Sequence, residues 1–322
     1  MRIQSENIAF AAGEMVACGG CRRQNPPNRV QCMYCGGDLE IDPARTDAAA
    51  FKLRPIEEWE PGFNVILRST ADPADPRVAK IATLLSVEPA VIAALAATKR
   101  PMPITRLGSP REAELVVASL VSEGLDAFVA ADERLMPERP PVRLRGIEFN
   151  DTGLGLVDFN TGTTVDLLRE DLALIVPGII SEKRTDQLEK KRRGKETKVL
   201  EQIETGRDEA VLDIYGRHDP IGFRVMLTGF DFSCLGEDKS YLAVENIRQL
   251  SVVLREFAPK AALVTDYRDI RAELGAVWPV DERKDSRGMQ RSGFAKFEFG
   301  NTLSSSNLRQ LNRFSRLQWH LL

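Results

Sequence analysis

The sequence predicts a multidomain α+β protein in three parts. These are a four-cysteine zinc knuckle, a small β-α-α-β-α-β sandwich, and a mainly antiparallel β body with one long amphipathic helix. Three observations predict it. Four of the five cysteines fall between Cys18 and Cys35, as two pairs. Residues 62–133 alternate short branched-apolar runs with helical periodicity. Beyond residue 141, short alternating segments are broken by Gly-containing turns and then yield to one clean helical pattern at 239–257.

The bulk composition sets the limits. The chain has 322 residues, 43% hydrophobic and 28% charged, with a formal net charge of −3. That is ordinary globular composition. Charges of both signs are interspersed, which argues against a wholesale nucleic-acid or membrane binder. The start, MRIQSENIAFAAGEM, lacks the basic and apolar regions of a secretory signal. No run approaches the roughly 18 apolar residues of a membrane span. A cytoplasmic location is expected, where reduced thiols suit metal ligation. The expected divisions are an arm at 1–13, a zinc finger at 14–40, a linker at 41–61, an α/β domain at 62–135 and a β-rich domain at 142–322.

The cysteines are spaced Cys18-x2-Cys21-x10-Cys32-x2-Cys35. Two residues between cysteines let both sulfurs grip one ion from a tight turn. Two such knuckles close a tetrahedral site and leave no position for substrate, so one structural Zn2+ is expected. Two disulfides, four unrelated thiols and an iron–sulfur centre are the competing readings. Gly19 and Gly20 in the first turn, and Gly36 and Gly37 after the second, permit the positive φ of crowded knuckles.

The fuller pattern, Cys-x2-Cys-x3-Asn-x6-Cys-x2-Cys with Asn25 as the Asn, resembles the Ran-binding-protein type of zinc finger. That resemblance covers about residues 14–40. It implies two short hairpins around zinc and binding of single-stranded RNA in some members, ubiquitin in others. The Trp usual before the first Cys is replaced by Glu14-Met15-Val16-Ala17. The Thr-Phe pair of ubiquitin binders is Arg22-Arg23 here, so ubiquitin is not expected. Arg22, Arg23, Asn25, Asn28 and Arg29 are candidate partner contacts, with RNA or an unnamed protein as partner. The competing reading makes the arginines a solvated rim and Asn25 a brace for the loop.

In the middle segment FNVILRS (63–69) reads as a strand and RVAKIATLLS (77–86) as a helix. A turn at Asp72 to Pro76 separates them. A second helix follows, with Ser86 as cap and Pro89 in its first turn. MPITRLG (102–108) is a strand. Ser109, Pro110 and Glu112 make a capping-box start for a third helix, which Gly124 ends. DAFVAADE (126–133) is the last strand. The order resembles the C-terminal domain of the ribosomal stalk protein and the Clp-protease adaptor. The resemblance implies a fold that presents helices to protein partners. The stalk domain's Gly-rich turn is Leu85-Ser86-Val87-Glu88 here, and the adaptor's acidic stretch is Arg68-Ser69-Thr70, so neither specific partner carries over.

MPERPPVR (136–143) reads as a separator. VRLRGIEF, GLGLVDF and GTTVDLL are strands joined by Asp-Thr-Gly and Asn-Thr-Gly turns. DLALIVPGII (171–180) is a longer strand with Pro177 at an edge or bulge. Residues 183–198 form a basic stretch, including Lys190, Lys191, Arg192, Arg193 and Lys195. It reads as a solvated loop or as a phosphate- or membrane-facing patch. KSYLAVENIRQLSVVLREF carries Tyr241, Val244, Ile247, Leu250, Val253, Leu254 and Phe257 on one face, with Asp238 as cap. Strands followed by one helix are similar to a pleckstrin-homology-like half barrel. GFAKFEFG (293–300) reads as a strand, and the last residues, with Leu308, Leu311, Phe314, Leu317 and Leu321, as a helix or strand docked on the body.

No catalytic set is expected. His218 sits in a turn, Cys234 stands alone, and no phosphate-cradling Gly loop of common spacing is present. The reading is an adaptor or scaffold, not an enzyme. RNA binding through the finger is the alternative, and a hydrolase in the C-terminal body the last.

Overall fold

The computed structural model describes residues 13, 15–27, 29–40, 56–57, 60–68, 75–85, 87–192, 198–293 and 296–322. For 188–192, 198–201, 287–293 and 296–299 the description is of the backbone. Trp59, Ser86, Asn28, most of the 1–13 arm, most of the 41–61 linker and much of the 72–76 turn lie outside the described residues. The chain divides into two compact units, Met1–Ala131 and Asp132–Leu322. It is a mixed α/β molecule with a large, mainly antiparallel sheet.

The first unit opens with an antiparallel pair, β1 (Val16–Ala17) and β2 (Gln24–Asn25), at the cysteine cluster. Then come β3 (Phe63–Leu67), α1 (Pro76–Leu85), α2 (Pro89–Ala97), β4 (Met102–Leu107), α3 (Pro110–Ser122) and β5 (Ala127–Ala131). The strands form an antiparallel sheet in the order β4-β3-β5. Val65 and Leu67 of the central strand, Val78 and Ile81 of α1, Ile92 of α2 and Val116 and Leu120 of α3 share one buried cluster. Each such side chain contributes roughly 1.5–3 kcal/mol when withdrawn from water. Ser109 stands at the α3 N-cap, but its hydroxyl makes no capping bond and is buried without a partner. The capping box expected there is not closed by the serine. Gly124, at φ 76°, ends the helix as its lack of a Cβ allows.

The second unit contains α4 (Asp132–Leu135), β6 (Val142–Phe149), β7 (Gly153–Asp158), β8 (Thr164–Leu168), β9 (Leu172–Arg192), β10 (Lys198–Gly216) and β11 (Phe223–Met226). A 3-10 helix (Phe232–Asp238) leads to α5 (Ala243–Phe257), β12 (Ala262–Leu263), α6 (Tyr267–Leu274), β13 (Asp281–Gly293), β14 (Lys296–Ser306) and α7 (Leu308–His320). One sheet runs β13-β14-β9-β10-β11-β6-β7-β8, with β12 beside β9. The pairs β11–β6 and β12–β9 are parallel. The β6–β7 and β7–β8 turns fall where expected. Asn150 Oδ1 accepts from the N–H groups of Thr152 and Gly153, and Asp158 Oδ1 from those of Asn160 and Thr161.

Strand alternation places helices on both faces of this sheet. Leu212 and Ile214 of β10 join the cluster containing Ile247, Leu250 and Leu254 of α5. Asp213, on the other face, meets Ser315 of α7 at 2.7 Å. Gly178 of β9 lets α7 sit close, since a Cβ there would lie 2.8 Å from Leu311 Cδ1. Pro177 occupies the part of β9 between its β12 and β14 partners. The Ile179 carbonyl and Ser181 N–H, on the side away from β10, are taken by Asn307 instead of a strand. Pro177 shares that side and has no N–H to leave unpaired.

Four expectations need correction. The 183–192 stretch is strand, not loop, and pairs on both sides, with β10 and β14. The long helix starts at Ala243; Asp238 ends the preceding 3-10 turn and does not cap it, and Tyr241 and Val244 are exposed. The separator at 136–143 is bound to α7: the Pro137 carbonyl accepts from Asn312 Nδ2, and the Met136 and Arg139 carbonyls accept from Arg316. The closing segment, read as a helix or strand, is the helix α7, and with α6 it carries the β body beyond the outline of strands followed by one helix, so the half-barrel outline is incomplete.

Candidate metal centre

The two cysteine turns are copies of one another, offset along the chain. In the first, Cys18 N–H donates to the Arg23 carbonyl at 3.0 Å and Arg22 N–H to the Cys18 carbonyl at 2.8 Å. In the second, Cys32 N–H donates to the Gly37 carbonyl at 2.8 Å and Gly36 N–H to the Cys32 carbonyl at 3.0 Å. Each turn places its fifth residue in the left-handed region: Arg22 at φ 61° and Gly36 at φ 72°. Among the four glycines expected to take positive φ, only Gly36 does; the first turn uses an arginine.

The turns bring the four Sγ atoms within 4.8 Å of one another. Cys18 and Cys35 sulfurs lie 3.6 Å apart, and Cys21 and Cys32 sulfurs 3.5 Å apart. A tetrahedron with metal–sulfur bonds of about 2.3 Å has edges of about 3.8 Å. The set therefore fits a four-thiolate ion, and no disulfide joins any two of these cysteines. Cys18 and Cys32 are buried and Cys35 is exposed, so the cluster faces solvent on one side. A small apolar floor of Leu39, Val16 and the cysteines lies beneath.

The sulfurs do not titrate alike. N–H groups of Cys21 and then Gly20 lower the Cys18 thiol. Burial would raise Cys32, but N–H groups of Tyr34 and Cys35 and the Asn25 amide bring it down to about 6. The Gly37 N–H favours the Cys35 thiolate, yet the three neighbouring sulfurs outweigh it and push Cys35 up to about 11. Backbone amides aimed at thiolates are the environment that a metal–thiolate site needs.

Asn25 belongs to the interior. It is wholly buried; Nδ2 donates to the Arg23 carbonyl at 2.9 Å and to Cys32 Sγ at 3.4 Å. Its Oδ1 accepts from Met33 N–H at 2.9 Å. It braces one knuckle against the other and is no partner contact, because no face of it reaches solvent. Arg22 and Arg23 are exposed and Arg29 is half-buried. The Arg23 guanidinium sits 4.7 Å from the Tyr34 ring centroid. Met33 and Tyr34 are more than half exposed, an apolar feature that the spacing of the cysteines does not announce.

The remaining candidates lie elsewhere. Lys190, Lys191 and Arg192 are in β9; Arg193 and Lys195 lie outside the described residues. His218 is exposed in the β10–β11 turn. Cys234 is half-buried and its thiol is pushed up to about 11, chiefly by burial, which suits a packed side chain better than a nucleophile. Among the described residues, no helix is long and apolar enough to cross a membrane. Comparison with protein-family models, with curated proteins and with solved structures gives no match to this chain.

Proposed function

We propose that the chain is a zinc-stabilised adaptor or scaffold that binds other macromolecules, with Cys18, Cys21, Cys32 and Cys35 holding one structural Zn2+. The observation that carries this reading is Arg22. A non-glycine residue in the left-handed region costs about 1–2 kcal/mol, and the matching position in the second turn is a glycine. An arginine kept at that cost, exposed beside the Arg23–Tyr34 pair, points to a surface used in contact. The four thiolates complete the ion's coordination, so zinc would crosslink the two turns and supply no chemistry to a substrate. The Ran-binding-type finger, the stalk-like layout of the first unit and the absence of catalysis are parts of the same proposal.

A second surface supports it. Tyr241, Leu242 and Val244 are exposed in succession before and within the first turn of α5. The turn is held firmly: buried Asn246 accepts from Ser240 N–H at 2.7 Å and donates to the Ser240 carbonyl at 2.9 Å. A tyrosine held exposed on a fixed turn is the kind of residue that anchors interfaces.

The test is affinity capture from cell extract with zinc-loaded full chain, compared with an Arg22→Ala, Arg23→Ala, Tyr34→Ala chain. Protein partners missing only from the variant are expected. Identical captures from both would remove the knuckle as a docking surface. The Arg–Tyr pair also favours single-stranded RNA, since guanidinium and aromatic planes stack on unpaired bases. In that case the captured material disappears with ribonuclease.

A further inference from the structure

We propose that the outer rungs where β9 lies between β10 and β14, and β14 beside β13, form a nucleic-acid-binding surface that grips the sugar-phosphate backbone. It names a partner class for a surface other than the knuckle and does not depend on the zinc. The topology makes the site. β9 pairs with β10 along one edge and with β14 along the other, over residues 182–192. The two hairpins therefore run side by side, and their far ends bring together residues about a hundred positions apart.

The register shows what is assembled. Lys190 stands opposite Lys198 on one side and Glu298 on the other. Arg192 stands opposite Lys296. Phe297 lies between Lys191 and Arg291, opposite both. These last rungs carry six cationic residues and one carboxylate, Glu298, in a chain whose formal net charge is −3. The basic character is thus concentrated at one end of the sheet. Four of the six, Lys190, Lys191, Arg192 and Lys198, belong to the basic run of residues 183–198; Arg291 and Lys296 are added by the fold.

Two features argue for a ligand. Lys190–Lys198 and Arg192–Lys296 are like-charge pairs directly across neighbouring strands, which cost stability. A local rule broken twice at one place, with the single carboxylate Glu298 set against it, marks a functional surface. Alternation also divides the cations: positions 190, 192, 198 and 296 share one face, and 191 and 291 the other. A flat anionic bilayer meets one face of a strand pair, whereas a nucleic-acid strand can follow both. An aromatic residue among cations is the pairing that holds single strands by stacking and charge.

The test is fluorescence anisotropy of the full zinc-loaded chain with labelled single-stranded RNA, single-stranded DNA and duplex DNA, between about 50 and 200 mM salt. The proposal expects binding that weakens steeply with salt. Lys198→Gln with Lys296→Gln should weaken it at least tenfold and, for a single strand, flatten the log–log slope by about 1.4, at roughly 0.7 for each phosphate no longer neutralised. The same variant should unfold at an equal or higher temperature, because it removes like-charge pairs; a merely structural role predicts the opposite. Lys198→Arg with Lys296→Arg should restore binding. An Arg22→Ala, Arg23→Ala chain separates the knuckle: if it abolishes all binding while the Gln variant binds like wild type, the proposal fails. It also fails if no oligonucleotide binds at low salt, or if vesicles of phosphatidylcholine and phosphatidylserine bind and oligonucleotides do not.

Discussion

Asn25 and Arg22 set opposite demands on the knuckle. Asn25 uses both ends of its amide to tie Arg23, Cys32 and Met33 together. Asn25→Ala should leave the Met33 N–H without its acceptor and Cys32 Sγ without the amide, at about 1–3 kcal/mol, and the bound metal should be lost at lower chelator concentration, as a metallochromic indicator would report. Arg22→Gly should do the reverse. It relieves the left-handed strain and should strengthen zinc retention by up to about 1–2 kcal/mol, while weakening capture of any partner that the knuckle binds. A glycine variant that is neither more stable nor weaker in binding would remove the case for Arg22. The clustering of the four cysteines was legible from spacing alone, because chelation geometry is local. The division of labour among the residues between them was not. Asn25 and Arg22 are both polar and both lie near a cysteine, and only the folded turns tell the brace from the rim.

At the scale of elements, α7 is the least typical piece. Gln310 to Gln318 are all buried, including Arg313 and Arg316. Asn312, Ser315 and Arg316 are answered from the sheet, from 136–143 and from the β10–β11 turn, Gln310 by Tyr267 and the Trp278 carbonyl, and Arg313 by Asp132. Arg224 meets Asp213 at 2.6 and 2.8 Å and Asn312 at 3.0 Å, and Ser315 donates to the same carboxylate. Asp213→Ala should therefore leave Arg224 buried without its carboxylate and cost about 3–5 kcal/mol, read as a fall in the denaturant midpoint. Asp213→Leu with Arg224→Met should recover much of that loss; if the double variant is as unstable as the single, the charge is not the cause. Periodicity found Leu311, Phe314 and Leu317, but it says nothing of the polar positions between them. The same limit hid β13 and the outer half of β9. Their sequences carry no apolar alternation, so DERKDSRGMQRSG and EKRTDQLEKKR read as loop or as undefined chain, though they are paired backbone. Where a strand or helix covers a core, as in β3, α1 and α3, the pattern placed it correctly.

For the whole molecule, the knuckle and the second unit hold themselves together by different means. The second unit has a buried apolar cluster drawn from five sheet strands, the 3-10 helix and α5. The knuckle has Cys18, Cys32 and Leu39, with Val16 and Cys21 beside them. A core of that size cannot hold a segment of this length without a crosslink, so zinc should supply most of its stability. Loading must also displace protons. Cys35 is pushed up to about 11 and so holds its proton at neutral pH, whereas Cys32, at about 6, is mostly thiolate. Adding zinc to metal-free protein near neutrality should release protons, seen as acidification in weak buffer. Binding should weaken as pH falls, because protons compete for the same sulfurs. Stripping the ion should then abolish amide-exchange protection at Cys18, Arg22, Cys32 and Gly36 and leave that of the central β9–β10 pairing, from Val176 to Val211, unchanged. Loss of protection in both would mean that the second unit's core does not stand on its own; retention in both would mean that zinc is not what holds the knuckle.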